Sequence, residues 1–282
     1  MLLGAHVSIA GGIHKAFNRA EDLGIDAMQI FTKNASRWQA KPLDAKDIEA
    51  FIAAWQNSSV ASVVAHDSYL INLGAAEGET RRRSLEAFLD EMRRCAALGI
   101  PHLVMHPGAH LGAGEETGLR NICEAFRILF AEAPPNVTVL LENTAGQGTY
   151  LGHHFEHLAA IMEGVPEGRF GICFDTCHAL AAGYDLTGAE GYHKVMAEFD
   201  RIIGIGLIAA VHLNDSKKER GSRVDRHAHI GQGAVPLEVF QTLLLDERFR
   251  SVPKILETEP GEDSCHHRAE LALLRELSGE TS

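Results

Sequence analysis

The chain has 282 residues, 45% of them hydrophobic and 23% charged, with a formal net charge of −12. This is the balance of a soluble globular protein with enough length to bury a large core. No apolar run approaches the ~20 residues that span a bilayer, and the opening Met1-Leu2-Leu3-Gly4-Ala5-His6 does not read as a signal peptide.

Leu2 to Val7 is predicted as a first buried strand, followed by a helix over Ile13 to Leu23 that Gly24 stops. Ala27 to Phe31 is the second strand. The helix after it, Asp44 to Trp55, carries Ile48, Phe51, Ile52 and Trp55 at helical spacing. Ser62 to His66 precedes a helix over Arg82 to Leu98, which Gly99 ends. Leu103 to His106 precedes Leu119 to Ala131, and Val137 to Glu142 precedes Phe155 to Met162. Phe170 to Asp175 is followed by Tyr192 to Ile203, Ile208 to His212 by Leu237 to Leu245, and Ile255 to Glu257 by Arg268 to Leu277. Strand and helix alternate eight times, which predicts an α/β fold, a closed (β/α)8 TIM barrel; an open doubly wound sheet is the alternative. No stretch resembles a linker, so residues 1–282 are expected to form one domain.

Six of these strands end in histidine, aspartate or glutamate: His66, His106, Glu142, Asp175, His212 and Glu257. A parallel barrel gathers the carboxyl ends of its strands at one mouth, where catalytic residues sit. Imidazole and carboxylate are the ligands of zinc and its neighbours. Two local pairs add to the set. His178 lies three residues after Asp175, and Asp225 and His227 lie two apart in a long connection, Asn214 to Val235. Loops of that length are usually functional or disordered. Nine candidate ligands are too many for one ion and about right for three if some carboxylate bridges. Spacing does not say which ligand holds which ion. His6, His102, His110, His153, His154, His157, His229, His266 and His267 are expected to be hydrogen-bonded surface residues, and Cys177 a barrel-interior thiol.

The five cysteines are scattered and odd in number, which fits reduced thiols and a cytoplasmic protein. The acidic balance argues against a nucleic-acid partner, yet Lys33, Arg37, Lys217, Lys218, Arg220, Arg223 and Arg226 all follow predicted strands and would share the mouth. Three divalent ions there would bring −12 to −6.

The motifs His66-Asp67-Ser68-Tyr69-Leu70-Ile71-Asn72-Leu73, His106-Pro107-Gly108 and Glu142-Asn143-Thr144-Ala145-Gly146 carry a family resemblance. So do Phe174-Asp175-Thr176-Cys177-His178, His212-Leu213-Asn214-Asp215-Ser216-Lys217 and Gly221-Ser222-Arg223-Val224-Asp225-Arg226-His227. Together, over nearly the whole chain, they resemble endonuclease IV, the metal-dependent apurinic/apyrimidinic endonucleases of base-excision repair. The resemblance implies a TIM barrel with three zinc ions. His66 and His106 would hold the first, with Glu142 bridging to a second that Asp175, His212 and Glu257 complete; His178, Asp225 and His227 would hold the third. Manganese or iron could take one or more of these positions. It also implies hydrolysis of the phosphodiester 5′ to an abasic site in double-stranded DNA, repair of blocked 3′ ends, and a monomer.

Glu142 and Glu257 are the expected catalytic carboxylates, Glu142 spacing a metal pair and Glu257 orienting the attacking oxygen. Tyr69 and Leu70 match positions that the family wedges into DNA, and Lys33, Lys217 and Arg226 are expected phosphate contacts. Where the family often has an arginine two residues before Trp38, this chain has Ser36, and Arg37 follows one residue later. Arg37 is therefore expected on phosphate and not in the base stack. A sugar isomerase or epimerase of the xylose-isomerase-like barrel type is the rival reading, and a non-catalytic metal-binding module a more distant one. Such isomerases use one or two metals and have little need of the His178, Asp225 and His227 cluster.

Overall fold

In the computed structural model, which describes residues 1–280, eight parallel strands close into a barrel. They are β1 (Leu3–His6), β2 (Ala27–Phe31), β3 (Ser62–His66), β4 (His102–Met105), β5 (Thr138–Glu142), β6 (Phe170–Asp175), β7 (Ile208–His212) and β10 (Lys254–Leu256), and β10 closes onto β1. The two-residue strands β8 (Asp215–Ser216) and β9 (His227–Ala228) pair antiparallel within the connection after β7. The barrel is the expected one, and the open sheet is set aside.

The outer layer is α1 (Lys15–Leu23), α2 (Ala45–Gln56), α3 (Glu79–Leu98), α4 (Glu115–Glu132), α5 (Phe155–Gly164), α7 (Ala189–Ile202), α8 (Leu237–Leu244) and α9 (Cys265–Ser278). Seven of these helices turn one phenylalanine inward: Phe17, Phe51, Phe88, Phe126, Phe155, Phe199 and Phe240, all fully buried. Strands covered by helices outside and side chains inside have no polar face, which is why they read as continuous apolar runs. A smaller cluster of Val64, Val104, Leu140, Cys173 and Ala210 fills the barrel interior. Where β1 passes β2, a Cβ on Gly4 would lie 1.8 Å from the Ala27 carbonyl oxygen, so only glycine fits.

The helices α3 and α4 begin at Glu79 and Glu115, earlier than apolar spacing predicts, because their first turns are polar and mostly exposed. A short helix, α6 (Thr176–Ala182), has no counterpart in the periodicity. Its residues are buried from Thr176 to Ala181 and it starts directly from β6, with Asp175 as its cap.

Candidate metal centre

Side chains alternate in direction along a strand, so residues two apart face the same way. Val64, Val104, Leu140, Cys173 and Ala210 point into the barrel. His66, His106, Glu142, Asp175 and His212 each lie two residues further on, and so form the next step of the interior toward the mouth. Glu257 stands in the same relation to buried Ile255. Register brings neighbours together: Asp175 and His212 are paired residues of β6 and β7.

The other three candidates come from connections. The Asp175 Oδ1 accepts a 2.6 Å hydrogen bond from the His178 amide, so the cap of α6 itself carries the His178 ring to the mouth. Asp225 and His227 arrive on the long connection, which Asp215 ties down. Its carboxylate accepts backbone N–H bonds from Ser216, Gly231, Gly233 and Val235 at 2.7–3.0 Å. A Cβ on Gly233 would lie 2.3 Å from the Ser216 carbonyl, which keeps this turn glycine.

The nine residues gather into three groups whose ligand atoms lie within 4.8 Å of one another: His66, His106 and Glu142; Glu142, Asp175, His212 and Glu257; and His178, Asp225 and His227. Glu142 divides its oxygens. Oε2 faces His66 Nε2 at 3.2 Å and His106 Nε2 at 3.3 Å, while Oε1 faces His212 Nδ1 at 3.0 Å and His178 Nδ1 at 3.1 Å. His212 Nδ1 is also 3.1 Å from Glu257 Oε2. His178 Nε2 and His227 Nε2 converge on Asp225 Oδ1 at 3.3 and 3.4 Å.

The donor set fits divalent cations. His66 Nδ1 donates to the Asp67 carbonyl and His178 Nδ1 to the Asn143 carbonyl, both at 2.9 Å, so in each neutral ring Nε2 is the nitrogen with the lone pair to offer a cation. The Nε2 atoms of His178 and His227 are buried without a hydrogen-bond partner, a costly state that a cation relieves. Cys173 and Cys177 also come near these groups, and burial pushes both thiols up to about 12.

The residues of the site also shift one another's protonation. Burial alone would lower the His66 imidazole, but the hydrogen bond and charge of Glu142 outweigh it and raise the group to about 10. His178 and His212 also rise against their burial, with carboxylates among the causes. Burial opposes the ionisation of Glu142 and Glu257, yet the histidines hold Glu142 well below the usual carboxylate range and Glu257 at about 2. Acids and bases this closely matched bind divalent metal by releasing protons.

A family model described as a xylose isomerase-like TIM barrel matches residues 17–277. The chain is 53% identical over 276 residues to the probable endonuclease 4 of Chloroflexus aurantiacus, and the match covers 97% of each protein. Its structure superposes on endonuclease IV from Thermus thermophilus with a TM-score of 0.85 at 37% identity, over 98% of this chain and 100% of that one. The chain belongs to the endonuclease IV family. A D-tagatose 3-epimerase-like protein shares the barrel with a TM-score of 0.73 at 21% identity over 99% of each chain, which is a likeness of fold alone.

In this endonuclease IV barrel the mouth opens into a cavity of about 730 Å³, lined by several candidate ligands together with Lys217 and Arg226. Lys217, Arg226 and Arg37 are exposed, Tyr69 is 68% exposed, and Leu70 is half-buried beside it. Lys33 corrects an expectation. It touches the cavity, but its ammonium is buried 2.8 Å from Asp90 and 3.5 Å from Glu91, so it serves an internal ion pair and is not a free phosphate contact.

Several supposed surface histidines are buried as well. His153 and His157 pack against Glu115 at 3.6 and 3.5 Å, and His267 donates to the Thr258 carbonyl. His6 is half-buried and lines the cavity. Gln29 and Asn214, absent from the sequence reading as site residues, are fully buried among the candidate ligands. The two-residue rule finds Gln29 and His6: they lie two beyond Ala27 and Gly4 on β2 and β1, as the ligands do on their strands.

Proposed function

We propose that this protein is a DNA-repair endonuclease that hydrolyses the phosphodiester 5′ to an abasic site, leaving a 3′-hydroxyl and a 5′-deoxyribose phosphate, and that it also clears blocked 3′ ends. Residues 1–282 act as one domain, with three zinc ions held in the three groups around Glu142. The observation that carries this over a sugar isomerase is the third group, His178, Asp225 and His227, adjoining the pair that shares Glu142. Kinship to proteins named endonuclease 4 supports it.

Bound there, the metals would supply a nucleophile at neutral pH and neutralise charge on phosphate and leaving oxygen. The protein's own part is positional. Glu142 sets the distance between two groups by facing one with each oxygen. Glu257, held ionised near pH 7 by its histidine neighbours, is an acceptor that orients the attacking oxygen. An abasic nucleotide has no pairing to lose, so it is the cheapest to extrude from a duplex. Tyr69 and Leu70 at the rim wedge into the gap it leaves, while Lys217, Arg226 and Arg37 take phosphates.

The test is a duplex with one tetrahydrofuran abasic analogue beside an intact control. The analogue lacks the aldehyde a lyase needs, so any cut is hydrolytic. The expected result is a cut just 5′ to the analogue that chelation abolishes and zinc restores. Folded, metal-loaded protein that leaves the analogue uncut overturns the proposal.

A further inference from the structure

We propose that Gln29 is a positioning residue that fixes which nitrogen of His212 faces the metal, and so sets how tightly the group of Glu142, Asp175, His212 and Glu257 holds its ion. This rests on the reading above that the group binds metal.

Every polar atom of the Gln29 side chain is committed. Its Oε1 lies 2.8 Å from His212 Nε2, and its Nε2 lies 2.6 Å from Glu257 Oε1 and 3.2 Å from His6 Nδ1. The orientation of the amide follows from its neighbours, since a carboxylate oxygen can only accept and must face the NH2 end. Gln29 Oε1 then accepts, His212 keeps its proton on Nε2, and Nδ1 is the nitrogen turned to Glu142, Asp175 and Glu257 at 3.0, 3.8 and 3.1 Å. The same amide takes Glu257 Oε1, so Oε2, which also accepts from the Asn214 side chain, is the oxygen turned to His212 Nδ1.

His66 and His178 are fixed in the same way, but by backbone carbonyls of Asp67 and Asn143. His212 depends on a side chain, so its orientation can be removed without touching a ligand. Outer partners of this kind typically contribute 10- to 100-fold in metal affinity.

The experiment compares wild type with Gln29→Met, which keeps the shape and length of the side chain and removes its hydrogen bonds. Both proteins are equilibrated in zinc buffers of fixed free concentration, and bound zinc per chain is read by mass spectrometry. The expected result is that one ion binds about 10- to 100-fold more weakly in Gln29→Met while the others keep their affinity. Gln29→Met that is folded by circular dichroism and matches wild type at every ion overturns the inference. Wild type that takes up no zinc overturns the metal reading itself, a separate failure. If Gln29→Met does not fold, nitrogen-15 spectra of histidine-labelled, zinc-loaded wild type decide. A slowly exchanging proton on His212 Nε2 is the result expected, and its absence overturns the assignment.

Discussion

Glu257 receives hydrogen bonds from Gln29 at 2.6 Å and from the Asn214 side chain at 3.1 Å, one on each oxygen. Its carboxylate is therefore held in place from both sides, with its charge kept by the histidines around it. Glu257→Gln preserves the volume but removes the charge and sets an NH2 group against one of those donors. Incision is expected to fall by roughly 10²- to 10⁴-fold, the range of a positioned acid–base group, with affinity for an abasic duplex retained. Parallel loss of incision and binding, measured by gel shift, would assign Glu257 to holding DNA and not to the chemistry.

The element that most needs explaining is the connection from β7 to α8. It is long and polar, yet it delivers Asp225 and His227 to within reach of His178. What folds it is the Asp215 carboxylate, which gathers four backbone N–H groups from both ends of the loop. A hydrogen bond to a charged acceptor such as this carboxylate contributes about 1.5–3 kcal/mol. Asp215→Ala is expected to free the loop, lower the zinc content by one ion per chain and leave the barrel's circular dichroism unchanged. Full zinc content in that variant would mean that the hairpin of β8 and β9 is enough.

At the scale of the whole molecule, the matched acids and bases at the mouth make stability depend on pH when metal is stripped. His66 rises from 6.5 to about 10 on folding, so its contribution is complete below pH 6.5 and is lost as pH climbs toward 10. Glu257 falls from 4.5 to about 2, so its contribution is present above pH 4.5 and is lost as pH drops toward 2. For these groups the chelated protein is most stable between pH 4.5 and 6.5. Its thermal midpoint is expected to decline from pH 6.5 to 10, while zinc-loaded protein resists that decline because the ions replace the protons. Calorimetry of both forms across this range checks it, and parallel curves would refute it.

The barrel was legible because strands buried on both faces must be apolar throughout, and eight such runs separated by helical spacing leave few other closures. The strand-end candidate ligands were legible for the same reason: a histidine or carboxylate at the end of an apolar run stands out by contrast. Lys33 and Gln29 show where this reading stops. Lys33 looks like a free cation in the chain, and only the packing of α3 against the segment that follows β2 supplies Asp90 and Glu91 to neutralise it. Gln29 looks like an ordinary polar residue in a strand, and only barrel closure brings it to His212, distant in sequence, and to Glu257. Local pattern reports what a residue contrasts with along the chain, so the sequence by itself determined the fold class and the candidate ligands. Partnership depends on which strands and loops meet, so the tertiary structure alone decided how those ligands group around Glu142 and which neighbours orient them.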